Sequence, residues 1–228
     1  MTARIFQITG EPRIRDVETK LVRNRRKKEK KINPIDGELI DLKITIDDLT
    51  NNGEIINGVM NYDVLEIYKD REGEHFQIKT KAVDFTFLRG SGMYMIVYAG
   101  AKEAQHIFNI FSRQVFFNEE NSLLPCDIPS ASMETFLNQN QHRVFRCTWD
   151  GLNIPGLTGT DLKGGQIEST QDFNRYDTHG LKKSIQFNLL VENITLSMNR
   201  TASIHFYTRM NKDSMEQFIR DMIIPICR

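Results

Sequence analysis

The fold predicted for this chain depends on one stretch, Phe85-Thr-Phe-Leu-Arg-Gly-Ser-Gly-Met-Tyr-Met-Ile-Val-Tyr-Ala-Gly-Ala-Lys102. Residues 83–88 and 93–99 have strand composition, and the tight turn Arg89-Gly-Ser-Gly92 joins them as an antiparallel hairpin. Residues 102–116 follow and place apolar side chains at helical spacing. The stretch therefore predicts a β-hairpin that runs into a helix packed against its own sheet.

A diverged second copy of this segment lies further along the chain. Residues 74–115 recur as residues 183–223, and the shift through the strands is 109 positions. A repeat of this length is a half-domain rather than a solenoid unit, so we expect an α+β fold of two repeats, residues 1–117 and 118–228. The matched apolar residues include Phe76 with Ile185, Phe85 with Ile194, and Met95 with Ile204.

The bulk composition is that of an ordinary globular protein without charge bias. Lys and Arg number 30, as do Asp and Glu, so the formal net charge of the 228 residues is zero. No apolar run approaches the roughly 18 residues of a membrane span, and no signal-peptide core is present. Cys126, Cys147 and Cys227 lie far apart, which favours a reducing compartment over disulfides or a structural zinc. We expect an intracellular protein without membrane contact.

Residues Glu11–Lys31 have helical spacing and end in a strongly basic run, residues 23–31, which Asn33-Pro34 terminates. Two interpretations of the run stay open. It is either a solvated helix end or flexible arm, or a patch for nucleic acid or nuclear import.

The second half is predicted to repeat the plan with longer connections. Residues 129–140 and 213–223 are predicted helices, and residues 167–176 a predicted strand. The segment Gly151–Gly165 is rich in glycine and polar residues and is predicted to be a loop.

The strand Met93–Ala99 is unusual because both of its alternating faces are apolar or aromatic. One face can pack on the helices, but the other also needs cover or a partner. Either this face is an open binding surface, or a loop such as residues 151–165 or a second copy of the chain covers it.

The hairpin of residues 85–99 resembles the signature hairpin of the TATA-box-binding protein core. Gly100-Ala101-Lys102 occupies the place of that family's Thr-Gly-Ala-Lys before the long convex helix, with Ala99 at the Thr position. Thr208 holds the corresponding Thr position in the second half. The resemblance implies a pseudo-symmetric saddle in which a curved antiparallel sheet carries its helices on the convex face.

The resemblance implies that the chain is a DNA-binding protein similar to a general transcription factor. Its concave sheet would lie in the minor groove, where apolar wedges bend the duplex. Double-stranded DNA and, through the convex helices, proteins of the transcription machinery would be its partners, in a nucleus, an archaeal cytoplasm or a viral transcription compartment. The implied contact residues are Phe85, Phe87, Arg89, Val97, Ala99, Leu196, Met198, Arg200, Phe206 and Thr208.

Two other functions stay open. A protein–protein interaction module on the same scaffold, without DNA contact, is favoured by the zero net charge. A duplicated subunit of a ring similar to a sliding clamp would instead form a stable dimer or trimer.

Catalytic signatures do not emerge from the sequence. The five histidines show no HExxH or HxH spacing, and Gly165 and Gln166 stand where a phosphate loop needs Lys and Ser/Thr. We therefore expect no enzyme activity, no cofactor, no metal site and no small-molecule substrate.

Overall fold

A computed structural model describes residues 1–10, 12–116 and 122–228, and its elements define an α+β fold. The strands are β1 (Thr2–Ile8), β2 (Arg26–Ile32), β3 (Leu39–Asn51), β4 (Ile55–Lys69), β5 (Glu74–Arg89), β6 (Met93–Val97), β7 (Leu123–Pro125), β8 (His142–Ile154), β9 (Leu157–Lys163), β10 (Leu181–Leu189), β11 (Ile194–Asn199) and β12 (Ser203–Phe206). The helices are α1 (Ile14–Arg23), α2 (Ala101–Gln114), α3 (Ser130–Gln139), α4 (Gln171–His179) and α5 (Lys212–Phe218).

The chain divides into two compact units. One comprises residues 8–123, and the other comprises residues 1–7 together with residues 124–228. The N-terminal strand thus belongs with the C-terminal half. The boundary expected between the repeats, at residues 117 and 118, lies outside the described residues.

The unit of residues 8–123 contains an antiparallel sheet in the order β2-β3-β4-β5-β6. Strands β3, β4 and β5 alternate buried and more exposed residues where they pair with one another, as expected for a sheet with one face in the core. Val17 and Leu21 of α1 and Phe111 of α2 are fully buried.

The other unit contains an antiparallel sheet in the order β1-β12-β11-β10-β8-β9. Strands β10, β11 and β12 alternate regularly between buried and part-exposed residues. Helices α3, α4 and α5 supply buried aromatic side chains: Phe136, Phe173 and Phe218.

The basic run was predicted to end a helix, but it forms the edge strand β2. Helix α1 ends at Arg23, and residues 26–32 then pair with residues 39–45 of β3 through seven consecutive partners. Pairing with β3 supplies hydrogen bonds for the backbone of the run. This tertiary contact outweighs the helical pattern of its side chains. Glu11 of the predicted helix is outside the described residues.

Two predictions in the second half are wrong. The segment 151–165, predicted to be a loop, completes β8 and forms a hairpin with β9 through a two-residue turn, in which Gly156 adopts a φ of +80°. Residues 167–176, predicted to be a strand, form a 3-10 turn and most of α4. Thr170 caps this helix by accepting the Phe173 N–H at 3.2 Å, a local signal that the apolar spacing did not reveal.

Both halves contain the same order of elements, which is two antiparallel strands followed by a helix. β5, β6 and α2 correspond to β11, β12 and α5, and Gly100 begins α2 as Asn211 begins α5. The correspondence ends before the hairpin, because Phe76 lies on the same continuous strand as Phe85, whereas Ile185 and Ile194 lie on two strands. The two-repeat saddle itself stays a prediction.

A buried lysine connects helix and sheet in the C-terminal unit. The Lys182 side chain is 1% exposed; its Nζ forms an ion pair with Asp177 and donates to Glu134 Oε1 at 3.0 Å. Trp149 Nε1 donates to Asp177 at 3.1 Å, and the Phe173 ring lies 5.8 Å from the ammonium. Removing one partner from such a cluster leaves a poorly solvated charge without its counterion.

We expect Lys182→Ala to lower the free energy of unfolding by about 3 kcal/mol, because Asp177 would lose its counterion. Lys183→Ala is the matched control: Lys183 pairs with Asp150 at 3.4 Å on the exposed surface, and its removal should cost less than about 1 kcal/mol. Urea denaturation followed by circular dichroism measures both. Equal decreases in stability in the two variants would contradict this role of Lys182.

Candidate nucleic-acid interface

The apolar residues implied to contact DNA lie in the cores of their units. Their exposed fractions do not exceed 8%. The open apolar surface that the resemblance implied is therefore not present at these positions, because packing against helices occupies them. The residues concerned are Phe85, Phe87, Val97, Ala99, Leu196, Met198 and Phe206.

In the unit of residues 8–123 the expected wedge belongs to an aromatic cluster. The Phe111 ring of α2 lies 5.1 Å from the Phe85 ring and 5.6 Å from the Phe87 ring, both in edge-to-face geometry. Phe116 lies 5.7 Å from Phe87. Moving either strand phenylalanine into a DNA base step would open this core.

The corresponding residues of the C-terminal unit pack in the same manner. The Phe206 ring contacts Phe218 of α5 at 5.7 Å, and Phe187 of β10 contacts Phe136 of α3 at 5.8 Å. Leu196 is fully buried on the neighbouring strand. The helices thus cover the face of the sheet that carries these side chains.

The second face of β6 is also covered. Tyr94, Ile96 and Tyr98, which alternate with the core residues of that strand, are at most 9% exposed. Of the two alternatives for this doubly apolar strand, the structure supports a covered face rather than an open one.

The polar residues implied by the resemblance lie at the surface. Arg89 is exposed at the end of β5. Arg200 and Thr208 are half-buried in the C-terminal unit, where Thr208 Oγ1 accepts the Thr195 N–H at 2.8 Å.

The sheet face opposite the core of the C-terminal unit is polar, and we call it the polar face. No member of this set is buried. It comprises Thr2, Arg4, Arg143, Arg146, Thr148, Asp161, Lys163, Ser184, Gln186, Asn188, Thr195, Ser197, Asn199, Ser203, His205 and Tyr207.

Strand register arranges these side chains in rows that cross the strands. The central row follows directly from the Cα partners of six adjacent strands: Lys163, Arg146, Gln186, Ser197, His205 and Thr2. A second row contains Asp161, Thr148, Ser184 and Asn199, and a third contains Arg143, Asn188 and Thr195. With strands about 4.8 Å apart, the central row extends over about 24 Å.

The polar face has an excess of positive charge. Arg4, Arg143, Arg146 and Lys163 lie on it with the carboxylate of Asp161. A second carboxylate, Asp150 on the same side of β8, pairs with Lys183 at 3.4 Å. Arg146 donates to both oxygens of the Asp161 carboxylate, with Nε–Oδ1 at 2.9 Å and Nη2–Oδ2 at 2.8 Å. These hydrogen bonds lower the pKa of Asp161 and raise the pKa of Arg146, so both groups stay ionised near neutral pH.

The part of the polar face near the N-terminal ammonium is rich in hydrogen-bonding side chains. The Thr2 hydroxyl and His205 Nδ1 are 2.7 Å apart, and Asn188 Nδ2 donates to Thr195 Oγ1 at 3.0 Å. Burial, with the N-terminal ammonium as a second cause, lowers the pKa of His205, which favours the neutral imidazole. Its ring contacts Tyr207 edge-to-face at 4.5 Å, and Tyr207 is 52% exposed.

A sequence signal for this face existed in the alternation of polar residues. Ser184, Gln186 and Asn188 occur at every second position, as do Thr195, Ser197 and Asn199. The sequence interpretation followed the apolar members of the same strands and did not use their polar alternates. Pairing between distant strands, such as β1 with β12, brings the sets together.

The equivalent face of the other unit carries both acidic and basic side chains. Asp47 accepts hydrogen bonds from Thr45 at 2.6 Å and from Asn61 at 2.8 Å, which lower its pKa. The basic strand β2 lies at the edge of this sheet, where Lys28 pairs with Asp41 at 3.0 Å. The basic run is thus an exposed edge strand, and lysines at such edges oppose unwanted strand pairing. Its interpretation as a patch for nucleic acid or nuclear import stays a prediction.

No family model and no curated protein matches this chain. Within residues 1–10, 12–116 and 122–228, no group of three or more His, Cys, Asp or Glu side chains is placed to hold a metal ion. In the same part of the chain, no helix has the length and apolar character needed to cross a bilayer.

We expect Phe87→Ala to lower the free energy of unfolding by about 3–5 kcal/mol, because it leaves a cavity beside Phe111 and Phe116. Val191→Ala, at a position that is 74% exposed, should change stability by less than about 0.5 kcal/mol. Chemical denaturation of both variants checks the assignment. An unchanged stability of the Phe87 variant would show that this side chain is not a core residue.

Proposed function

We propose that this chain is a non-catalytic protein that binds duplex DNA through the polar face of its C-terminal unit. The supporting observation is the set of in-register polar rows that cross adjacent strands. A regular sheet holds these donors and acceptors at fixed spacings, which favours recognition of a ligand that is itself regular over about 24 Å.

The chemistry of the rows fits the two parts of a DNA contact. Arg143 and Lys163, both exposed, would contact phosphates, the interaction that dominates affinity. Gln186 and Asn188 carry amide groups, which hydrogen-bond to base edges and sugars as well as to phosphates. The exposed ring of Tyr207 adds a stacking surface at the edge of the set.

This proposal contains no apolar wedge. Phe85, Phe87 and Leu196 are core residues, so strong bending by these side chains is not expected. A role in transcription stays a prediction that depends on DNA binding. The binding of protein partners through the helices also stays a prediction.

The test is fluorescence anisotropy with a fluorescein-labelled 20-base-pair duplex, in A·T-rich and mixed-sequence versions. The double variant Arg143→Glu with Lys163→Glu should bind at least about tenfold more weakly at 0.1 M salt, because repulsion replaces attraction at both phosphates. The slope of log Kd against log salt should become shallower by about 0.9 for each phosphate that the variant no longer neutralises.

The matched control is Lys27→Glu with Lys30→Glu on the basic strand β2, which should retain most of the affinity. If this control does not bind DNA while the polar-face variant binds fully, the interface lies on β2 and the proposal is overturned. Absence of wild-type binding to any duplex at low salt would also overturn it.

A protein–protein interaction module is the second candidate. Ile67 and Ile78 favour it, because both are about half exposed and exposed apolar clusters mark interfaces. Salt distinguishes the two functions: phosphate binding weakens steeply as salt rises, whereas an apolar interface does not.

A further inference from the structure

Strands β4 and β5 continue beyond their neighbours as a two-stranded ribbon, residues 63–80, which we call the arm. The pairing of β3 with β4 extends to Tyr62, and that of β6 with β5 begins at Phe85. Between these limits, β4 and β5 have no other strand partner among the described residues. Seven residues per strand give the arm a length of about 24 Å.

One face of the arm is apolar and exposed. Leu65 pairs with Ile78, and Ile67 pairs with Phe76, so all four side chains project from the same face. Ile67 is 51% exposed, Ile78 47% and Phe76 37%. Exposure of adjacent apolar side chains is unfavourable in a monomer and favours a partner surface.

The opposite face of the arm is polar and internally paired. Glu66 pairs with Lys79 at 3.7 Å, and the rings of Tyr68 and His75 stack at 5.5 Å. These contacts leave the apolar face as the side of the arm that gains most from a partner.

Nucleic acid is a poor occupant for the apolar face because the arm is acidic. Residues 63–80 contain five carboxylates and three Lys or Arg side chains, so phosphates would be repelled. The carboxylates are Asp63, Glu66, Asp70, Glu72 and Glu74.

The charges at the two ends of the apolar face point to a second copy of the same chain. On β4, Asp63 lies at the base of the face, where it accepts from Thr80 Oγ1 at 2.7 Å, and Lys69 lies at its tip, 3.9 Å from Glu74. When two arms pack face to face in antiparallel orientation, Lys69 of each copy lies over Asp63 of the other. The surface is thus complementary to itself, as an interface with twofold symmetry requires.

We propose that the arm is a self-association surface through which two copies of this chain pack their apolar faces antiparallel. The interface buries the four apolar side chains of each copy and forms two Lys69–Asp63 ion pairs. It uses residues 63–80, none of which belongs to the polar face, so self-association and DNA binding can be tested with separate variants.

Sedimentation velocity over a concentration series of the full chain tests the proposal. The wild type should show a concentration-dependent monomer–dimer equilibrium, and Ile67→Glu should weaken it at least about tenfold, because it places a charge inside the interface. Gln77→Glu, on the opposite face, is the matched control and should leave the equilibrium unchanged. A wild type that stays monomeric at millimolar concentration would overturn the proposal.

Charge reversal tests the antiparallel arrangement. Lys69→Asp and Asp63→Lys should each abolish self-association, because like charges meet at both ends of the interface. An equimolar mixture of the two variants should regain a heterodimer, since each contact then joins opposite charges. A wild type that dimerises while the mixture does not would overturn the antiparallel pairing. Circular dichroism confirms that each variant is folded.

Discussion

The packing of helix phenylalanines onto one face of each sheet is the constraint on which the rest of the structure depends. Phe111 lies against Phe85 and Phe87 in one unit, and Phe218 lies against Phe206 in the other. Side chains alternate between the faces of a strand, so a shift of one residue would bring the opposite set inward. Burial of the aromatic set therefore determines which residues remain for solvent and for partners.

The remaining face of the C-terminal unit is the basis of the proposed function. Once Ile185, Phe187 and Leu189 of β10 are buried, Gln186 and Asn188 between them must point the other way. The resemblance implied a DNA contact through apolar wedges, and the structure leaves polar rows for that contact instead. In the proposed binding, hydrogen bonds and phosphate contacts would replace insertion between base steps.

Sequence patterns predicted the elements that depend on neighbouring residues. Pairing between distant strands determined the other elements. The Arg89–Gly92 turn and the apolar spacing of α2 were enough to predict the hairpin and its helix. The basic strand β2 was missed because its partner β3 satisfies its backbone, which the charge run does not indicate. The candidate site was missed because its polar residues alternate with the apolar ones on which the prediction rested, and because pairing of β1 with β12 brings in Thr2 from some 200 positions away.

The most direct test of this account is an NMR titration of the side-chain amide groups with an unlabelled 20-base-pair duplex. Gln186, Asn188 and Asn199 lie on the polar face, whereas Asn57 and Asn61 lie on the sheet of the other unit. The account predicts that the NH₂ signals of the first three shift progressively with added duplex while those of Asn57 and Asn61 stay in place. Shifts confined to Asn57 and Asn61, or no shifts at saturating duplex, would contradict it.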